Sequence, residues 1–208
     1  MDENYFRNKT VCVTGAGRGI SKSLALRLAQ LGAKVISVSK TDEHLKELNN
    51  NIVPVYVDLS DWKATKEAIN PHLPIQLLVN NAAISIRDSF LEVKQEDFDT
   101  LFIVNEIARD LIERKLPGSI VNVSSQASAV DGLTCYGFEI RSSSINSVQP
   151  TVVLTDMDRM AWSEEKKSAE MLSKISLNRF AEVEDVVEPI IFLLSDKSQM
   201  INGACFYK

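Results

Sequence analysis

No apolar run in this chain approaches the roughly 20 residues a helix needs to cross a bilayer, so no membrane span is expected. Neither end carries a block of lysine and arginine. The 208-residue chain has a net charge of −5, which argues against nucleic acid and anionic membrane surfaces as general partners. The N-terminus, Met1-Asp2-Glu3-Asn4, is acidic and lacks an apolar stretch behind a basic one, so no secretory signal is expected. Cys12, Cys135 and Cys205 are an odd number at unrelated spacings, which gives no metal-binding pattern and no obvious disulfide framework. The chain therefore reads as cytoplasmic and reduced. His44 and His72 stand in polar surroundings, as neither metal ligand nor base. There is no internal repeat and no low-complexity linker. Hydrophobic residues at 45% and charged residues at 25% are ordinary for a globular protein, and the length suits one substantial core. One domain over residues 1–208 is expected.

What the chain does contain is an alternation of strand-like and helix-like segments. Residues 10–14 (TVCVT) form a short apolar, β-branched run that stops at Gly15, and residues 21–31 place Leu24, Ala25, Leu28 and Leu31 at helical spacing. Residues 33–39, 51–58, 75–80 and 119–124 read as four more strands, and 145–149 as a sixth. Between them, 42–48 suits a short helix. Asp61 can cap a helix running to Ile69, 95–115 is a long helical pattern, and 163–173 and 183–195 look amphipathic. Apolar strands alternating with helices imply an α/β fold, a mostly parallel sheet with helices on both faces. Residues 125–144 do not fit, because a right-handed crossover normally places a helix there and little helical periodicity is visible.

The sharpest feature follows the first strand: Thr14-Gly15-Ala16-Gly17-Arg18-Gly19-Ile20-Ser21 runs directly into a helix. Glycines there let the backbone turn tightly and approach a diphosphate, whose charge sits at the helix N-terminus. At the end of the second strand stand Ser39-Lys40-Thr41, where a carboxylate would suit the ribose hydroxyls of NAD. With Arg18 in the turn, two cations and two hydroxyls suit a 2′-phosphate, so NADP(H) is the expected cofactor.

Thr-Gly-x-x-x-Gly-x-Gly is the fingerprint of the short-chain dehydrogenases/reductases, and the chain resembles that family through Gly15 and Gly19. Ser21 replaces the last glycine and is expected to loosen the helix–strand fit; the alternative is that its hydroxyl contacts the cofactor or caps the helix. Asp58-Leu59 resembles the family's adenine-contacting pair, and Asn80-Asn81-Ala82-Ala83 its Asn-Asn-Ala-Gly motif. Val121-Asn122-Val123-Ser124-Ser125 resembles the strand that delivers the catalytic serine, Ser125 being the closer match. Pro150-Thr151-Val152-Val153-Leu154-Thr155 resembles the segment that clasps the nicotinamide carboxamide. Val-Ser-Lys-Thr at 38–41, Val-Ser-Ser-Gln at 123–126 and Gln-Pro-Thr-Val-Val at 149–153 look most like the L-xylulose/dicarbonyl (carbonyl) reductase branch. The resemblance implies a three-layer Rossmann fold. It also implies reduction of a small dicarbonyl or sugar by hydride transfer from NADPH, and assembly as a homo-oligomer. The cofactor-binding residues it implies are Gly15, Gly17, Arg18, Gly19, Ile20, Ser39, Lys40, Thr41, Asp58, Leu59, Asn81, Ala82, Pro150, Val153 and Thr155.

For the chemistry the resemblance implies Ser125 to hold the carbonyl oxygen, Tyr136 to donate the proton and Asn105 to anchor a relay water. The family's lysine, four residues after the tyrosine, lowers the tyrosine's pKa from about 10. Here that position is Ile140, followed by Arg141. The helix that should carry tyrosine and lysine passes almost directly to Ser142-Ser143-Ser144. The helix after Asn105 is short of the family pattern, and the ending, residues 201–208, lacks its Gly-Gly. Those departures keep a second expectation open: a catalytically impaired NADP(H)-binding paralogue or truncated form, acting as a sensor or interaction module with weakened association.

Overall fold

The structure, a computed structural model, describes residues 4–41, 51–82, 102–124, 143–155, 159 and 162–207. In chain order the elements are β1 (Thr10–Thr14), α1 (Gly19–Gln30), β2 (Lys34–Ser39), β3 (Ile52–Tyr56), α2 (Trp62–Ile69) and β4 (Leu77–Asn80). Then follow α3 (Phe102–Arg114), β5 (Gly118–Val123), β6 (Ser143–Gln149), α4 (Glu165–Leu172), α5 (Val183–Leu194) and β7 (Cys205–Tyr207). The strands form one sheet in the order β3-β2-β1-β4-β5-β6-β7 with every described pairing parallel. This is the expected Rossmann arrangement.

Strand periodicity sorts the core into two layers. On β1 Val11 and Val13 face one side and Cys12 the other; on β4 Leu77 and Val79 oppose Leu78 in the same way. One face is sealed by Leu24, Ala25 and Leu28 of α1 with Val186, Ile190 and Leu194 of α5. The other is sealed by Ile69 of α2 and Ile103, Ile107 and Leu111 of α3. Central strands buried on both faces need apolar side chains throughout, which is why β1 and β4 read as unbroken hydrophobic runs. Edge strand β3 is different: it carries Pro54, which has no N–H to offer a further strand.

Most sequence expectations hold to within two residues. Asp61 caps α2, its side chain accepting from Ala64 N at 2.9 Å. Strand β6 begins two residues before the expected 145, and α3 occupies the C-terminal part of the expected 95–115. The helix expected at 42–48 lies outside the described residues, as does 125–142 of the stretch lacking helical pattern. Strand β7 was not expected. It has three residues, too few for a pattern of its own. Asn146, buried on β6, docks it: its Nδ2 donates to Ile201 O and its Oδ1 accepts from Ala204 N, at 2.9 and 3.0 Å. The cysteine expectation needs correction too, since Cys205 on β7 is disulfide-bonded, whereas Cys12 on β1 is a free, buried thiol. Among the described residues no helix is long and apolar enough to cross a membrane.

Candidate functional site

The strand order reverses between β1 and β4, so the chain leaves these two neighbours in opposite directions and opens a crevice at their C-terminal ends. The loops after both strands meet in it. Gly15 adopts φ +67°, and a Cβ there would lie 3.1 Å from Ala82 Cα and 3.5 Å from Asn81 Nδ2. Only glycine allows both the left-handed turn and this approach. Ala16 N donates to Val38 O at 3.1 Å, pinning the turn to β2 as well. Gly17 is buried. Arg18, exposed and extended, precedes the first helical residue without a side-chain cap, so the amides of the first turn of α1 face outward from the crevice floor. Ile20 packs against the core.

Thr14 ties the two loops together, a role its place in the motif did not reveal. Its buried Oγ1 accepts from Asn81 N at 3.0 Å and from Ala82 N at 2.9 Å. The same hydroxyl lies 3.3 Å from Asn80 Oδ1, and Asn80 Nδ2 donates to Asn122 Oδ1 on β5 at 3.4 Å. A polar thread thus runs across the ends of β1, β4 and β5. Ser21 corrects another expectation. Its hydroxyl neither caps α1 nor faces a ligand: fully buried, it donates to Thr14 O at 3.0 Å and fastens the helix to β1. Rather than loosening the fit, Ser21 replaces close glycine packing with a hydrogen bond.

At the far side of β1 the ends of β2 and β3 carry the cationic corner. Lys40 Nζ lies 2.6 Å from Asp58 Oδ2. Asp58 Oδ1 accepts from Ser60 N and Ser60 Oγ at 3.1 and 2.8 Å. The Lys40 hydrogen bond, aided by those from Ser60, holds the Asp58 carboxyl down at about 2, below the ordinary 3.8. The second cation of the expected pair is therefore already engaged by a carboxylate. Ser39 Oγ accepts from Thr41 N at 3.4 Å, and Leu59 packs on the second core layer.

The segment after β6 closes the opposite wall. Pro150 is buried. Val153 forms a parallel bridge with Ala181, and Leu154 N donates to Ala181 O at 2.8 Å. Thr155 reaches α1: a Cβ on Gly19, itself at φ +58°, would lie 3.3 Å from Thr155 Cγ2. Arg159 N donates to Thr155 O at 2.9 Å, and Arg159 Nη2 pairs with Glu182 Oε2 at 2.7 Å. That ion pair, between groups 23 residues apart, was also missed; two opposite charges on unrelated segments leave no local signal. Gly19, Lys22, Ser23, Thr155, Arg159 and Glu182 border a shallow cleft of about 240 Å³.

The expected cofactor residues are thus gathered along the C-terminal edge of the sheet. The expected catalytic residues are not gathered in view. Ser125 and Tyr136 lie outside the described residues, as does Ile140, and Asn105 sits on the exposed side of α3 between buried Val104 and Ile107.

The family profile described as short chain dehydrogenase matches residues 9–138, and one described as Enoyl-(Acyl carrier protein) reductase matches residues 138–208. The chain belongs to the short-chain dehydrogenase family. Among relatives, D-erythrulose reductase of Gallus gallus is 42% identical over 229 aligned residues, covering 96% of this chain and 93% of its own. L-xylulose reductase of Homo sapiens is 43% identical, covering 97% and 95%. Carbonyl reductase [NADPH] 2 of Sus scrofa is 40% identical with the same coverage. Family membership makes this chain an oxidoreductase, and these relatives are named reductases of erythrulose, xylulose and carbonyls. The 229-residue alignment is longer than the whole chain of 208, so the relative has residues with no counterpart here. Among solved structures, a 3-oxoacyl-[acyl-carrier protein] reductase from Brucella melitensis shares the fold at TM-score 0.83 and 23% identity, covering 98% of this chain and 91% of its own. An Agrobacterium tumefaciens chain solved with bound NADP does so at TM-score 0.83 and 22%, covering 100% and 97%.

Proposed function

We propose that this short-chain dehydrogenase is an NADPH-dependent carbonyl reductase acting on a small dicarbonyl or a sugar such as L-xylulose. The observation that carries the reading is the double close approach at the glycine turn. Gly15 against the Ala82 backbone and Gly19 against the Thr155 side chain leave a glycine-lined cradle at the start of α1, where a Cβ at either position would crowd its neighbour. A diphosphate fits such a cradle, because amides supply donors and the helix N-terminus supplies positive potential. Gly15, Gly17, Arg18, Gly19 and Ile20 would hold it. Asp58 and Leu59 would flank the adenine, Ser39, Lys40, Thr41 and Arg18 the 2′-phosphate, and Asn81, Ala82, Pro150, Val153 and Thr155 the nicotinamide end. The NADPH in the name of the pig relative supports the phosphorylated cofactor.

When bound, the reduced cofactor supplies a hydride to the carbonyl carbon. The chain's own residues do the rest: Ser125 holds the carbonyl oxygen, Tyr136 gives it a proton, and Asn105 orders the water that returns one. Four residues after Tyr136, where the family has its lysine, stands Ile140, a side chain that carries no positive charge.

That residue favours a second reading, a chain that binds NADP(H) but turns over poorly and serves as a sensor or interaction module. A single domain and a weakened homo-oligomer belong to the same proposal, and a firm tetramer in sedimentation would contradict weakened association. NADPH oxidation followed at 340 nm with diacetyl and L-xylulose separates the two readings. Turnover supports the reductase. Cofactor binding without turnover, restored by Ile140→Lys, supports the impaired relative.

A further inference from the structure

We propose that Asp58 is a specificity-determining residue, tempering the preference for NADPH over NADH by competing with the 2′-phosphate for the Lys40 ammonium. The inference rests on the cofactor reading above. Its basis is a rigid carboxylate facing a flexible cation. Asp58 is fixed from three sides: Ser60 N and Ser60 Oγ both donate to Oδ1, while the backbone carbonyl accepts from Asp61 N at 3.0 Å. Only Oδ2 is left to point outward, and Lys40 Nζ comes to 2.6 Å from it. The Lys40 side chain is 73% exposed, on a stem free to swing.

An ammonium has three N–H donors, so Lys40 can touch a phosphate without leaving Asp58. The geometry then sets two anions on one cation. A phosphate oxygen bonded to the same Nζ comes within about 6 Å of Oδ2, and like charges at that range repel even in a well-screened setting. If Lys40 swings fully to the phosphate, it gives up its Asp58 hydrogen bond instead. Either way Asp58 takes back part of what Lys40 contributes, and it does so only for the nucleotide that carries a 2′-phosphate. NADH has a hydroxyl there and is indifferent to this competition. Contacts that Asp58 makes elsewhere on the adenosine are common to both nucleotides and cancel in the ratio of their affinities.

The test is the ratio Kd(NADH)/Kd(NADPH), measured by calorimetric titration on the full chain and on Asp58→Asn, Lys40→Met and the double variant. Asparagine keeps an Oδ1 acceptor for both Ser60 donors, so the turn is retained; equal melting temperatures confirm this. Asp58→Asn is expected to raise the ratio about three- to tenfold, the effect of removing one like charge near the phosphate. Lys40→Met is expected to lower it, and Asp58→Asn added to Lys40→Met is expected to change it less than in the parent. A ratio unchanged or lowered by Asp58→Asn, with the parent binding NADPH normally, overturns the inference alone, since Asp58 would then be aligning Lys40 rather than competing. A parent chain that binds neither nucleotide overturns the cofactor reading and this inference with it.

Discussion

Replacing Thr14 by valine removes the hydroxyl that joins the loops after β1 and β4 while keeping the side chain's size. Two backbone donors, Asn81 N and Ala82 N, lose acceptors at 3.0 and 2.9 Å. Each buried donor left without a partner costs about 1–3 kcal/mol; both residues are half-buried, so the lower end applies and the expected total is about 2–3 kcal/mol. For a chain of this length that lowers the melting temperature by about 4–12 °C. Urea denaturation followed by circular dichroism measures the free energy directly. Thr14→Ser, which restores the hydroxyl and gives up a methyl, should recover a large part of the loss. A Thr14→Val chain within about 0.5 kcal/mol of the parent, or a Thr14→Ser chain no better than it, would refute the idea that this hydroxyl holds the two loops together.

Further outcomes follow from other residues. Gly15→Ala places a Cβ at φ +67° and 3.1 Å from Ala82 Cα, so it should cost about 1–2 kcal/mol in backbone strain and weaken NADPH binding at least tenfold, read by denaturation and titration. Burial pushes the Cys12 thiol up to about 12 from 9.0. A thiol-reactive dye at pH 8 should therefore leave Cys12 unlabelled until the chain unfolds. The unfolded thiol ionises above 9 and the folded one does not, so this site's contribution to stability is present below pH 9 and is lost as pH rises towards 12. For Asp58 the sign reverses: its contribution is present above pH 3.8 and is lost as pH falls towards 2. Lys40→Met should move the Asp58 carboxyl back towards 3.8 in an NMR titration, and an unmoved midpoint would count against the ion pair.

Local pattern made much of this fold legible. The run TVCVT ending at Gly15 announced β1 because a strand buried on both faces needs apolar residues at every position. Asp61 announced the start of α2 because an N-cap acts three residues away. What stayed hidden depends on contacts between distant segments. Ser21 bonds a carbonyl seven residues back across a turn, which its place in a glycine motif could not show. Lys40 and Asp58 meet because β2 and β3 pair in register, Ser39 opposite Tyr56, and sequence shows only two charges 18 residues apart. Strand β7 is specified by the side chain of Asn146 more than by Cys205-Phe206-Tyr207 itself. The cofactor half of the site was readable because glycines and loop ends carry their own signature. The catalytic half was named by resemblance at Ser125, Tyr136 and Asn105, and only Asn105 falls among the described residues.

Calorimetric titration of the chain with NADPH, with a melting curve at saturation, probes the cradle between Gly15, Ala82, Gly19 and Thr155 most directly. Saturable heat and a raised melting temperature, both larger than with NADH, are the expected result. Neither heat nor a thermal shift with NADPH would contradict dinucleotide binding at this turn and remove the basis for the proposed reductase.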